Sequence, residues 1–399
     1  MDELLMLTHR IPYPPDKGDK IRSWHFFRHL ASRFSINLGT FVDEDRDWSY
    51  VEKLRGMCRD CFFAKLDRRA ARLRSLRALF DGGPLTNPFY SDRGLHRWAQ
   101  DILSRSNCAR VLVYCSAMAQ YIPLDIRRTR RCVADLVDID SEKWLEYGRT
   151  MGGVQSYLSR REGTKLRRCE GEIAATFSST VVATEGEREL LNGFAPESAD
   201  RIVCIRNGVD TDYFSPDRDY MRPPELRRTA LVFTGAMDYA PNIDAVVHFA
   251  KNIFPLVREK IPDAQFVIVG SNPHRTVKEL ASGGDIIVTG RVPDVRPYLA
   301  HARAVVVPLR IARGVQNKLL EGMAMAKAVV ASPAAAAGIE GEAGREFLVA
   351  NDPETFAAAI YSVVPSGRGD ALGQSARQRV LASYNWSVNA ALLEALLSA

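Results

Sequence analysis

The stretch Val305-Val306-Val307-Pro308-Leu309-Arg310-Ile311-Ala312-Arg313-Gly314-Val315-Gln316-Asn317-Lys318-Leu319-Leu320-Glu321-Gly322-Met323-Ala324-Met325 reads as a buried strand, a glycine-containing turn and a helix beginning near Val315. A short β-branched run without polar alternation is what a strand covered on both faces requires. Strand, turn and helix make the repeating unit of a parallel sheet. The rest of the chain repeats that unit. Strands are predicted at 3–8, 36–42, 61–65, 111–115, 132–137 and 179–184 in the first half. In the second half they are predicted at 202–205, 230–234, 265–269, 285–288, 304–308, 329–331 and 347–350, with helical stretches between.

The chain has 399 residues, more than the roughly 250–300 that one core sustains, so two domains are expected. The fold class is α/β, with two doubly wound, Rossmann-like domains and a ligand at the carboxyl ends of their strands. Residues 1–205 with a closing helix at 384–399 are expected to form the first domain, and 206–383 the second. The Pro- and charge-rich stretch 217–228 reads as a linker.

Composition narrows the classes further. With 46% hydrophobic and 26% charged residues, disorder and collagen are excluded. No apolar run reaches the length of a membrane span. The N-terminus carries acids where a signal peptide carries bases, so a cytoplasmic location is expected. Seven scattered cysteines fit a reducing compartment, and Cys58-Arg-Asp-Cys61 lacks the second pair a zinc site needs. His25 and His29 have no third ligand near them in sequence. The net charge of +6 is too mild to imply nucleic acid. It is clustered, however: nine Lys and Arg stand between Lys53 and Arg77 against two acids. Leu66, Ala70, Leu73, Leu76 and Phe80 recur there at helical spacing. An amphipathic basic helix suits an anionic membrane surface, or it is a solvated face over an ordinary core.

No phosphate-loop motif, dinucleotide fingerprint, zinc-protease motif or nucleophile elbow is present. What remains is the helix after the 314 turn. Its first amides and dipole favour phosphate. Lys318 and Glu321 share a face one turn further in. A cation there can hold a diphosphate while a carboxylate accepts both hydroxyls of a ribose.

That stretch, followed by Ala328-Val329-Val330-Ala331-Ser332, resembles the donor site of retaining GT-B glycosyltransferases (glycosyl transferases group 1, family 4). Pro12-x-Pro14-Pro15-Asp16-Lys17-Gly18-Asp19-Lys20-Ile21-Arg22, Arg206-Asn207-Gly208-Val209-Asp210, Thr234-Gly235-Ala236-Met237, Thr289-Gly290-Arg291-Val292-Pro293-Asp294-Val295 and Tyr384-Asn385-Trp386 follow the family's order. Within the group the sequence is most similar to the branch linked to exopolysaccharide and exosortase (PEP-CTERM) systems. The resemblance implies that Glu321 binds the donor ribose, the backbone at Val292 meets the base, and Gly235 lets the diphosphate approach. Gly314, Val315 and Gln316 supply the helix start, and Gly18 faces the diphosphate from the first domain.

The sequence departs from the family twice. The earlier member of a usual glutamate pair falls on Arg313. The Arg and Lys usual after the 235 turn are absent, so Lys318 with Arg310 or Arg313 is expected to neutralise the diphosphate. In the first domain, Asp138 and Asp140 stand where the family often has a His, and they are expected to orient acceptor or sugar. Asp-x-Asp recurs at 43–45, 210–212 and 217–219, so no metal is assigned to it.

The implied activity is metal-independent, retaining transfer of a sugar from a nucleotide sugar to a lipid-linked glycan, with no cofactor and no nucleic acid. The acceptor side would lie at the inner face of the membrane. The alternatives are a non-catalytic sugar-nucleotide-binding subunit and a nucleotide-sugar epimerase on the same plan.

Overall fold

A computed structural model describes residues 1–15, 17–105, 108–312, 314–365 and 367–399. The chain divides into two compact units, Met1–Asn207 with Trp386–Ala399, and Gly208–Asn385.

The first unit is built on a seven-stranded sheet with the order β3-β2-β1-β4-β5-β6-β7. Its strands are β1 (Glu3–Thr8), β2 (Ser35–Val42), β3 (Asp60–Lys65), β4 (Arg110–Tyr114), β5 (Arg131–Val137), β6 (Ser179–Val182) and β7 (Ile202–Cys204). Every pairing is parallel. The order reverses between β1 and β4, which makes the crevice at their carboxyl ends the expected ligand position. All six residues of β1 are buried, as helices on both faces demand.

The C-terminal Trp386–Ser398 helix returns to this unit. His25 stacks on Trp386 with ring centroids 4.5 Å apart, and Asn389 Nδ2 donates to the Arg206 carbonyl at 2.9 Å. Arg110 and Arg131 donate to the carbonyls of Leu397 and Leu396, closing the helix end with cations.

The second unit has the order β10-β9-β8-β11-β12-β13, again all parallel. These are β8 (Ala230–Thr234), β9 (Gln265–Val269), β10 (Ile286–Gly290), β11 (Ala304–Val307), β12 (Val329–Ala331) and β13 (Leu348–Val349). The reversal lies between β8 and β11. Both strands are wholly buried.

Two expectations are corrected. Residues 217–228 lie within the second unit and are fastened to it: Leu226 is buried, Glu225 accepts from the Tyr298 hydroxyl at 2.6 Å, and the Glu225 carbonyl accepts from Gln265. The basic segment is not one helix. It runs through β3 into a helix at Arg68–Ser75 and a single turn at Ala78–Asp81. Leu66, ahead of the helix, is in the core, but Leu73, Leu76 and Phe80 do not face it. The stripe that packs inward is Ala71, Ser75 and Ala78. Among the described residues no helix is long and apolar enough to cross a membrane.

Candidate functional site

The switch point of the second unit is framed by the turn after β8 and the loop after β11. Gly235 follows β8 with φ 157°, and its amide donates to the Val269 carbonyl at 3.0 Å. A Cβ at 235 would stand 2.7 Å from Asn242 Nδ2 and 3.4 Å from Lys318 Cε. At Gly270, which follows β9, a Cβ would fall 1.7 Å from the Gly235 carbonyl oxygen. Only glycine at 270 lets these two strand ends come together, and their bare backbone forms the rim of the site.

The helix after β11 runs Asn317–Ala324, with Gln316 as its N-cap residue. Gly314, at φ 61°, turns the chain into it. Leu319, Leu320, Met323 and Ala324 are buried and fix which face packs on the sheet. Lys318 and Glu321 lie off that face, both partly buried, and Lys318 reaches the turn after β8. Burial lowers the Lys318 pKa to about 8, while Glu321 acts to raise it. Burial raises the Glu321 pKa to about 7, against the pull of Lys318. Each charge is thus held by the other in a poorly hydrated place. Lys318 Nζ donates to Asn242 Oδ1 at 3.0 Å and lies 5.2 Å from the Phe233 ring centroid. Asn242 Nδ2 in turn donates to the Ala236 carbonyl at 2.9 Å, so the cation is tied to the turn after β8.

Two polar atoms here have no hydrogen-bond partner among the described residues: Thr234 Oγ1 at the end of β8 and Asn317 Oδ1 in the first helical turn. Both are buried. A cation, first-turn amides and the free Thr234 hydroxyl around a rim of bare backbone suit a phosphate group, while Asn317 Oδ1 is left to accept from a donor. A carboxylate one helical turn from the cation can accept from a diol.

Arg310 is engaged elsewhere: Nε donates to Asp244 Oδ2 at 2.9 Å, and a second nitrogen donates to Oδ1. Arg313 lies outside the described residues. Val315 and Gln316 are partly buried at the helix start. Val292 follows β10 and packs, partly buried, against the core of the unit.

Gly18 opens the Gly18–Ala31 helix of the first unit. Asp138 and Asp140 follow β5 in the same unit; Asp138 is exposed and Asp140 opens the Asp140–Thr150 helix. Burial raises the Asp140 pKa, with Lys143 opposing and Asp138 adding to the rise. Glu187 stands against Asp138, and its pKa is pushed up to about 9 by burial and by that neighbouring carboxyl.

Sequence reasoning missed Asn242, although its place just after the Gly235 turn was a usable signal. It also missed a charged cluster at the switch point of the first unit. His9, just beyond β1, lies 3.4 Å from Asp19 and stacks parallel on Tyr114 with centroids 5.8 Å apart. Burial would lower the His9 pKa, but Cys115 and Asp19 outweigh it and raise it well above the usual value. Cys115 and Val137, at the ends of β4 and β5, hold φ of 75° and 67°. Such strain on non-glycine residues persists where surrounding packing imposes it, often at functional sites. Among the described residues no group of three or more His, Cys, Asp or Glu is placed to hold a metal ion.

Residues 228–365 match the family model described as Glycosyl transferases group 1. No curated protein matches the chain. Among solved structures, it is similar to sucrose-phosphate synthase (tll1590) from Thermosynechococcus elongatus, at 16% identity over 99% of this chain and 98% of the other, with TM-score 0.69. It is similar to Anabaena HepE in complex with UDP and glucose, at 13% identity over all of both chains, with TM-score 0.66. A third is a TarM mutant of S. aureus in complex with fondaparinux, α-GlcNAc-glycerol and UDP, at 12% identity over all of both chains, with TM-score 0.64. At such identities the likeness establishes the fold, which is GT-B, and the second unit carries a group 1 glycosyltransferase domain.

Proposed function

We propose, from the group 1 glycosyltransferase domain in the second unit, that the protein transfers a sugar from a nucleoside-diphosphate sugar to a glycan acceptor. The observation that carries this reading is the coupled, partly buried Lys318–Glu321 pair, with Lys318 beside the bare backbone at Gly235. Glu321 receives the ribose hydroxyls. Lys318, steadied by Asn242, and the first amides of the Asn317–Ala324 helix stabilise the diphosphate as its charge grows on departure. The backbone at Val292 meets the base. With Arg310 committed to Asp244, Lys318 is the principal cation in this scheme.

Transfer proceeds without a metal and with retention of the anomeric configuration. Asp138 and Asp140 orient the acceptor, a lipid-linked glycan of exopolysaccharide or envelope synthesis, at the inner face of a membrane. HepE and TarM were solved with UDP, which makes UDP-sugars the first donors to test.

The test is calorimetric titration with UDP and the other nucleoside diphosphates, followed by turnover of the matching nucleotide sugars in EDTA. One diphosphate is expected to bind, Glu321→Ala is expected to weaken it by about 1.5–3 kcal/mol without unfolding the chain, and donor is expected to be consumed. Undiminished affinity in Glu321→Ala overturns the site. Tight binding without turnover favours a non-catalytic subunit.

A further inference from the structure

The Arg68–Ser75 helix and the Ala78–Asp81 turn present large apolar residues outward and small ones inward. Ala71, Ser75 and Ala78 are buried, whereas Leu73 is 70% exposed, Leu76 52% and Phe80 90%. The long Gly153–Thr176 helix meets this segment. Its Arg161 donates to the Ala78 carbonyl, and on the same helical stripe Val154 is 74% and Tyr157 69% exposed. Large apolar side chains left exposed on two elements that meet mark a place where something else sits.

Charge identifies the occupant. Arg68 is paired with Asp43, and Arg74 donates to the carbonyls of Pro88 and Phe89, so these two fasten the segment to its unit. Arg69, Arg72 and Arg77 are exposed and, among the described residues, form no ion pair. The Asp67 carboxylate is taken up in capping the helix through the amides of Arg69 and Ala70. Arginines interleaved with protruding Leu and Phe match the boundary between anionic headgroups and acyl chains. There the guanidinium groups reach phosphate while the apolar side chains sink below it.

We propose that Leu73, Leu76, Phe80, Val154 and Tyr157, with Arg69, Arg72 and Arg77, form a surface that docks the first unit onto an anionic lipid bilayer. This gives the membrane-side acceptor of the preceding reading its point of contact and in that sense rests on it. Vesicle binding and nucleotide binding are separate measurements, so either proposal can fail alone.

The experiment is sedimentation of the full chain with vesicles of phosphatidylcholine alone and of phosphatidylcholine with about one-third phosphatidylglycerol. Binding is expected only to the anionic vesicles, and it should fall as salt rises. The variants Leu76→Ser with Phe80→Ser, and Arg72→Glu with Arg77→Glu, should each bind at least about tenfold more weakly. Because the altered residues are exposed, far-ultraviolet circular dichroism and nucleotide affinity should not change. The proposal is overturned if the wild type ignores anionic vesicles, if it binds neutral ones equally, or if the double variants bind undiminished. It is equally overturned if the patch instead joins two copies of the chain, seen as a dimer that the serine variant dissolves without any vesicle binding.

Discussion

The Lys318–Glu321 pair predicts a narrow pH profile for donor use. Glu321 must be ionised to accept two hydroxyls, and its pKa is raised to about 7, so this capacity grows as pH rises through that value. Lys318 must be protonated to face a diphosphate, and its pKa is lowered to about 8, so this capacity is lost as pH rises further. Taking the two ionisations as independent, the fraction with both charges is about 0.6 at pH 7.5 and about 0.1 at pH 6 and at pH 9. The expected profile of kcat/KM is therefore a bell centred near pH 7.5 with a drop of about sixfold at either side, its limbs belonging to the pair. A nucleotide-sugar donor is the right probe because neither of its phosphates has a second ionisation in this range. In Glu321→Gln the acidic limb should vanish. In Lys318→Met it should move to higher pH, because the ammonium group is what holds the carboxyl down. A profile flat from pH 6 to 9, or an acidic limb that survives Glu321→Gln, refutes the assignment.

Three further outcomes are expected. Lys318→Met should lower kcat more than donor affinity in steady-state and binding measurements, since its charge matters most as the diphosphate departs. Arg22→Leu removes a fully buried partner that meets Asp135 at 2.8 and 3.1 Å and also donates to Ile205 and Asn207. Stranding Asp135 should cost about 3–5 kcal/mol, read as an earlier urea transition of the first unit. The raised pKa of Glu187, about 9, means the folded chain holds a proton that the unfolded chain releases near its ordinary value. Its contribution is therefore full in acid and is lost as pH rises toward 9, a decline that Glu187→Gln should flatten in thermal melts.

The sheets were the most legible part of the sequence. The bounds read for β1, β8, β9 and β12 coincide with those observed, because each is a short, largely apolar run closed by glycine or polar residues. Lys318 and Glu321 were legible as a pair because three-residue spacing on a helix is local geometry. Their burial was not, since it depends on a turn some eighty residues earlier and on Asn242. The His9–Asp19–Tyr114 cluster was hidden for the same reason: its members come from different elements that meet only at the switch point of the sheet. The basic segment misled for a different reason. Its helical period is real, but the inward stripe is made of Ala71, Ser75 and Ala78, so ranking residues by hydrophobicity put the wrong side against the core. In 217–228, proline and charge masked Leu226, the residue that anchors the stretch.

The most direct measurement is a crystal structure of the protein grown with the diphosphate that binds it. The account predicts both ribose hydroxyls within about 3 Å of the Glu321 carboxylate and the phosphates between Lys318 Nζ and the backbone at Gly235. A nucleotide seated elsewhere, with Glu321 touching solvent or protein alone, would contradict it.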